Sequence, residues 1–461
     1  MLNETTTRDL ILSQARFRLA LPDLDLGMRT LLSRLADGWL TDVDVVQLAT
    51  RFGSEREALA SQLMIMRLHQ RGWLDRRLSY GGGLVLDSSS RAIGAAPLKP
   101  AYEQPIGAGY RLSRFAIMRA DEGNLLLHSP LGTSQITFHR PELAACLALA
   151  AAQACTADDI AKHVDVDEVT GRLVLSALAD ARVLVTEGEF EQERSTAPMA
   201  FWSPEEAWLH ERSRSLTNAA PVGGTYRFRG VIEPPQPEHQ LYADAPAIAL
   251  PPPTPAETGS ELASLDEVMA RRRSLRIQDH ANPISIEQLG ALLHRAQRLR
   301  PHSDGSGALK RPYPGAGALG ELEIYPVVYR CAGLVPGLYH YDSVEHRLEL
   351  VAADGTDTKK LLSYARATCQ MSTPPQVLLV ITARLPRLMW KYEGIPYALG
   401  LKNAGVLTAW LYLIATGMGL APCALGAGDT AGFAALSGLD PFVEPSIAEF
   451  AIGSQLSEER S

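Results

Sequence analysis

The stretch KYEGIPYALGLKNAGVLTAWLYLIATGMGLAPCALGAGD, residues 391–429, carries the reading of the fold. From Ala404 to Leu425 it holds no charged residue and is long enough to cross a bilayer. Gly405, Gly417, Gly419, Thr408, Thr416 and Pro422 interrupt that run, and polar Lys402 and Asn403 stand at its head. The mixture predicts a buried helix followed by a buried strand rather than a membrane span. The strand runs out into Leu425, Gly426, Ala427, Gly428 and Asp429. A glycine-rich loop after a strand lets backbone N–H groups meet a ligand, although it also serves as a plain turn. At the front of the stretch Lys391 and Tyr392 stand together. A phenol beside an ammonium group suits general acid–base work, while the commoner meaning of a Lys-Tyr pair is a surface position at a helix start.

Working outward, residues 261–461 alternate helix and strand. Ser264 with Glu267, and Ser285 with Gln288, have the spacing of capping boxes. After the second pair, Ile286, Leu289, Leu292, Leu293, Ala296 and Leu299 share one helical face. LEIYPVVYR (322–330) and PQVLLVITAR (375–384) read as strands. The expected class is α+β, a central mixed sheet flanked by helices. Two further motifs stand out. RRRSLR (271–276) follows a capped helix, and guanidinium groups with a serine hydroxyl suit a phosphate, although a charge run is often only solvated. GAGALG (315–320) matches a dinucleotide fingerprint by letters but precedes a strand instead of following one, so it is expected to be a tight turn that could lie against a flat ring.

The front of the chain differs. Residues 1–90 and 91–195 each hold a helix–helix–strand rhythm suggesting a winged-helix-like module, the second preceded by a β-rich segment. Thr41 and Thr156 are candidate helix caps, and Gly72 a helix stop. Such modules often bind DNA, but residues 1–90 hold eleven Arg against eleven acidic groups, and 141–190 hold three basic against nine acidic. Phosphate contact needs a basic surplus, and the whole chain carries a net charge of -8, so neither nucleic acid nor an anionic membrane is an expected partner. An arm and a proline-rich connector over 196–260 are expected to separate the front modules from the last domain. The five cysteines form no C-x-x-C pair, no histidine spacing suggests a metal, and the first residues lack a signal-peptide core, all of which fits the cytoplasm.

Taken in order, RRSLR (272–276), PYPGAGALGELEIYPVVY (312–329), GLVPGLYHYDSVEHRLELV (333–351), the 391–429 stretch and EPSIAEFAIGS (444–454) resemble the SagB-type dehydrogenases of the nitroreductase superfamily. The last two blocks look most like the cyanobactin oxidases. LSRFAIMR (112–119), HSPLG (128–132), LHERSRS (209–215) and GGTYRFRG (223–230) fit the same group. The resemblance implies an FMN enzyme that oxidises azolines to azoles in a ribosomally made precursor peptide. Arg272, Arg273, Ser274 and Arg276 would hold the FMN phosphate. Pro314, Gly315, Ala316 and Gly317 would lie along the flavin, and Leu425, Gly426, Ala427 and Gly428 would approach its edge. Lys391 and Tyr392 match the catalytic pair.

Gly315 stands where the family usually has Ser, and Leu407 and Trp410 where more polar residues are often found. The resemblance further implies a homodimer through the helix over 398–418, front modules that recognise the peptide or its leader, and a cyclodehydratase that makes the azoline. Two alternatives stand beside it: an FMN oxidoreductase acting on a small molecule, and a non-catalytic scaffold that binds a precursor peptide.

Overall fold

The structure is a computed structural model that describes residues 2–4, 10–14, 17–21, 24–51, 55–91, 108–121, 123–214, 220–237, 239, 241–253, 264–301 and 309–456. It divides into two compact units, Met1–Val222 and Gly223–Ser461.

In the first unit, β1 (Leu2–Glu4), β2 (Leu10–Gln14) and β3 (Phe17–Leu21) form a small antiparallel sheet. Helices α1 (Leu26–Asp37), α2 (Asp42–Arg51) and α3 (Glu55–Gln70) follow, then the hairpin β4 (Arg76–Tyr80) and β5 (Gly83–Ser90). The Thr41 hydroxyl accepts the Asp44 N–H at 3.1 Å, which caps α2 as its sequence suggests. Strands β6 (Tyr110–Leu112), β7 (Ile117–Asp121), β8 (Asn124–His128) and β9 (Ser134–Phe138) come next. β9 pairs with β5, which joins the hairpin to a five-stranded sheet. Helices α4 (Glu142–Ala152), α5 (Ala157–Val164) and α6 (Glu168–Asp180) then lead to β10 (Leu184–Thr186), α7 (Glu187–Ser195) and α8 (Pro204–Arg214). Thr156 closes a full capping box at α5. The helix–helix–strand order recurs, but the endings differ: β4 continues into a hairpin, whereas β10 pairs back onto β6. Each copy has its own core, around Leu31, Leu32 and Leu68 in the first and around Leu127, Leu143 and Leu178 in the second.

The second unit begins within the arm. Residues 223–232 hydrogen-bond to residues 390–393, and β11 (Ala247–Ala249) pairs with a strand of the main sheet. The boundary between units therefore falls at Val222/Gly223, ahead of the proline-rich stretch, because prolines do not stop flanking residues from docking. Residues 254–260 of that stretch, and 92–107 of the expected β-rich segment, lie outside the described residues. Next come α9 (Leu265–Arg271) and α10 (Ile286–Gln297), both with the expected capping boxes. A two-strand ladder, β12 (Arg300–Pro301) and β13 (Leu309–Lys310), precedes β14 (Leu322–Val328), β15 (Gly337–Asp342) and β16 (Arg347–Ala353). Then follow α11 (Thr356–Thr368), β17 (Val377–Ala383), α12 (Leu385–Lys391), α13 (Pro396–Gly417), β18 (Leu420–Ala424), α14 (Thr430–Ser437) and β19 (Ser446–Ser454).

The main sheet runs β11-β16-β15-β14-β17-β19-β18. Every pairing in it is antiparallel, which corrects the expected mixed sheet. A four-residue connection, 343–346, reverses the chain between β15 and β16, whereas β14–β17 and β17–β19 are antiparallel across long connections that carry helices. Helix α13 is long and apolar enough to cross a membrane by length and composition. Here one face of it packs into the core: Leu407, Leu411 and Ala415 are fully buried against residues of β14, β17, β18 and β19.

Candidate functional site

The turn before β14 is the first cluster. Ala316 to Ala318 make a single tight turn, with Gly317 left-handed at φ 60°. An ideal Cβ on Gly317 would sit 2.4 Å from the Tyr392 hydroxyl and 2.7 Å from Lys391 Nζ. A side chain there would have to displace both groups and hold a left-handed backbone that glycine adopts most easily, so the turn backbone lies directly against the Lys-Tyr pair. Lys391 is the last residue of the short helix α12, and Tyr392 is extended, its N–H donated to Leu388 O. The pair therefore ends α12 rather than opening the long apolar helix, because Pro396 starts α13.

Three groups fix this cluster from behind. The Ala316 N–H donates to Asn403 Oδ1 at 3.2 Å, and Asn403 Nδ2 donates to Glu321 Oε1 at 2.6 Å. Asn403 and Glu321 are both buried, and burial pushes the Glu321 carboxyl above its usual range. From the arm, Gly223 pairs with Glu393 and the Tyr226 N–H donates to Lys391 O. Lys391 Nζ lies 5.9 Å from the Tyr226 ring centre and 5.2 Å from that of Tyr392, so the ammonium faces two aromatic rings. Arg387 donates to Leu319 O at 3.0 Å and to Pro235 O at 3.2 Å, which ties turn and arm to α12.

The second cluster lies farther along α13. Tyr412 OH accepts the Ala424 N–H at 2.8 Å and is 2.7 Å from Ser274 Oγ. The Arg272 guanidinium sits 5.4 Å over the Tyr412 ring. The Leu275 N–H donates to Pro422 O, which holds the arginine run beside β18. Arg272, Arg273 and Arg276 are exposed. The 425–428 loop begins next to this run, with the Leu425 N–H given to Glu449 O. No atom lies within 4 Å of a Cβ built on Gly426, so its backbone faces open space. Gly428 instead presses on the Glu449 carboxylate. Burial, with help from Asp429, raises Glu449 to about 7.

The structure thus joins Gly315–Gly317 to Lys391 and Tyr392, and Ser274 with its arginines to the start of the 425–428 loop. It does not join the two sets directly. Their anchors, Asn403 and Tyr412, are nine residues apart on one helix, about 13 Å along its axis. The sequence showed Asn403 only as a polar residue heading an apolar run. Glu321, Tyr412, Glu449 and Tyr226 carried no local signal, since each acts through a partner distant in the chain. Beside the turn, a cavity of about 600 Å³ is lined by Arg295, Arg300, Lys310, Tyr313, Pro314 and Trp410 among others.

Residues 110–218 match the family model described as cyanobactin oxidase ThcOx, and residues 269–453 match the nitroreductase family model. A protein of Methanocaldococcus jannaschii named as a nitroreductase is 26% identical over 163 residues, covering 35% of this chain and 78% of that protein. Among solved structures, one described as a nitroreductase from Ralstonia eutropha is 26% identical, covers 49% of this chain and 97% of that one, and has a TM-score of 0.37. The Escherichia coli microcin synthetase McbBCD complex, solved with truncated pro-MccB17 bound, is 19% identical over 51% of this chain and 88% of that one, with a TM-score of 0.34.

Proposed function

We propose that this chain, which belongs to the nitroreductase superfamily, is an FMN-dependent oxidase that converts thiazolines or oxazolines to azoles in a ribosomally made peptide. The observation that carries the reading is the contact of Gly317 with Lys391 and Tyr392, in a chain whose earlier part matches an oxidase of cyanobactins. On this reading Lys391 and Tyr392 act as a proton-transfer pair beside the backbone along which the flavin would lie.

The residues present fit FMN. Exposed guanidinium groups and the Ser274 hydroxyl suit its phosphate, and the open backbone at Gly426 suits the edge of its ring. When bound, FMN supplies the hydride acceptor. Lys391 and Tyr392 take the acidic α-proton of the azoline, while the β-carbon gives up its hydride and a ring double bond forms. The Gly315–Gly317 turn, fixed through Asn403, holds the reacting ring in register with that pair. Where the family usually has Ser, Gly315 has only its backbone to offer.

A homodimer belongs to the same proposal. The two clusters sit at separate places on α13, whose Tyr397, Leu401 and Trp410 remain partly exposed, so a second copy could bring one cluster's partner to the other. The winged-helix-like front modules would engage the precursor peptide or its leader, and a cyclodehydratase would supply the azoline.

The purified chain with FMN should be given a thiazoline peptide with and without its leader. Loss of two hydrogens per azoline is the expected result, with Tyr392→Phe or Lys391→Ala slowing it about 100-fold. Unchanged substrate mass in both cases, with FMN bound, overturns the oxidase reading; full turnover by both variants overturns the catalytic assignment.

A further inference from the structure

Beneath the arginine run lie two thiols that the proposed chemistry leaves unused. Cys369 follows α11 as its C-cap, and Cys423 lies in β18. They are 54 residues apart, their sulfurs are 3.6 Å apart, and both are buried, against Met371 and Ala451. Both bear on the same short segment. Arg276 Nε donates to Cys369 O at 2.9 Å, and the Leu275 N–H donates to Pro422 O, one residue before Cys423, at 2.8 Å.

We propose that Cys369 and Cys423 are a modification site, a dithiol that closes to a reversible disulfide in the native fold and so clamps the Leu275–Arg276 segment between α11 and β18. A disulfide needs the sulfurs about 2.05 Å apart, so closure asks for about 1.5 Å of approach, within reach of side-chain rotation for two thiols already in contact. The two are unequal. The contact between them and the nearby Arg276 lower the Cys423 thiol, while the same contact and burial push Cys369 up. Cys423 is taken as the attacking sulfur and Cys369 as the resolving one, although closure of the pair does not depend on which attacks first. Burial excludes bulky oxidants and favours a small hydroperoxide.

The Cys423 thiolate attacks one peroxide oxygen, the O–O bond breaks, and the departing hydroxide takes a proton to become water. This leaves a sulfenic acid on Cys423. The Cys369 sulfur then attacks the Cys423 sulfur, the S–O bond breaks, and a second water leaves with the thiol proton. Two electrons pass from the thiol pair to the peroxide. Where dioxygen is the final acceptor of the proposed oxidase, hydrogen peroxide forms at the protein itself; that source of oxidant rests on the functional reading, but the site does not.

The test adds hydrogen peroxide to the full chain and needs no flavin or peptide. Expected are a loss of two hydrogens in the intact mass, a fall from five free thiols to three after denaturation, and a Cys369–Cys423 cross-linked peptide that a reductant reverses. Hydrogen exchange at the Leu275 and Ala424 amides should slow about tenfold on closure. With Cys369→Ser, a sulfenic-acid probe should label Cys423; with Cys423→Ser, Cys369 should stay unlabelled. The proposal is overturned if the cross-link forms only in denaturant, if peroxide modifies another cysteine first, or if exchange at those two amides is unchanged on closure. The wild-type mass and peptide map decide the question even if a serine variant fails to fold.

Discussion

The two ends of α13 hold their clusters in opposite ways. Around Asn403 the contacts close within the protein: the Ala316 N–H on Asn403, Asn403 on Glu321, and the Tyr226 N–H on the Lys391 carbonyl. Around Tyr412 the backbone is anchored as well, but Arg272, Arg273 and Arg276 are exposed, Arg276 while its Nε donates to Cys369 O, and nothing lies within 4 Å of a Cβ on Gly426. The first is a finished surface, with its geometry set before any ligand arrives. The second leaves guanidinium groups exposed to solvent, where an anion such as the proposed phosphate would meet them. A site that combines chemistry with cofactor capture profits from that division. On the proposed function the reacting groups would gain from fixed geometry, and the phosphate grip from charge and reach.

The contrast can be broken most severely at Gly317. Gly317→Ala places a methyl group on the Tyr392 hydroxyl and on Lys391 Nζ, in a left-handed conformation that alanine resists. Azoline oxidation should fall by about 100-fold or more, equivalent to about 3 kcal/mol of barrier. FMN affinity should change little if the phosphate grip lies in the other cluster, and a flavin titration beside the rate measurement separates the two. Loss of FMN binding together with activity would merge the clusters into one.

The next effect is on pH dependence behind the 425–428 loop. Glu449, with an ordinary value of 4.5, titrates at about 7 in the fold. A carboxyl raised in this way binds its proton more tightly folded than unfolded. Its contribution is thus complete below about pH 4.5 and is lost as pH rises through about 7, on the order of 3 kcal/mol. Glu449→Gln should flatten that slope of the C-terminal unit's melting temperature between pH 5 and 8. An unaltered slope would place the titration elsewhere.

Asn403→Ala comes third. It strands the buried Glu321 carboxyl and the Ala316 N–H, at a cost of about 1–3 kcal/mol. A calorimetric scan should show the loss in the C-terminal transition alone. Asn403→Asp would be no rescue, because it sets a second carboxyl against Glu321.

Much of the fold was legible because it is local. Ser264, Ser285, Thr41 and Thr156 announce their helices through side-chain acceptors only three residues from the N–H groups they bind. Strands β14 and β17 show as largely apolar runs because both are buried throughout, Glu323 and Thr382 included. The Gly315–Gly320 turn was correctly separated from a dinucleotide fingerprint by its order relative to β14. What escaped is long-range. Asn403 and Glu321 are 82 residues apart, and nothing near either one names the other. The docking of Gly223–Ile232 beside α12 has no periodicity to betray it, being made of backbone bonds, a Trp390 indole N–H given to Ile232 O, and contacts of Thr225 and Arg227 with Glu393. Strand direction escaped for the same reason: apolar runs reveal burial but not which neighbour lies alongside.

The smallest effect, and the sharpest discrimination, lies within the 425–428 loop itself. A Cβ on Gly426 meets nothing within 4 Å, whereas one on Gly428 would overlap the Glu449 carboxylate. Gly426 also lacks a left-handed φ, so alanine there strains no backbone. Gly426→Ala should therefore leave the melting temperature within the few tenths of a kcal/mol typical of a surface substitution. Its entire consequence should fall on whatever occupies the open space. If the flavin edge lies there, the added methyl group weakens FMN binding several-fold while the apoprotein melts as before. If FMN affinity and melting are both unchanged, the space in front of Gly426 is solvent, and the glycine there serves the turn and not the cofactor.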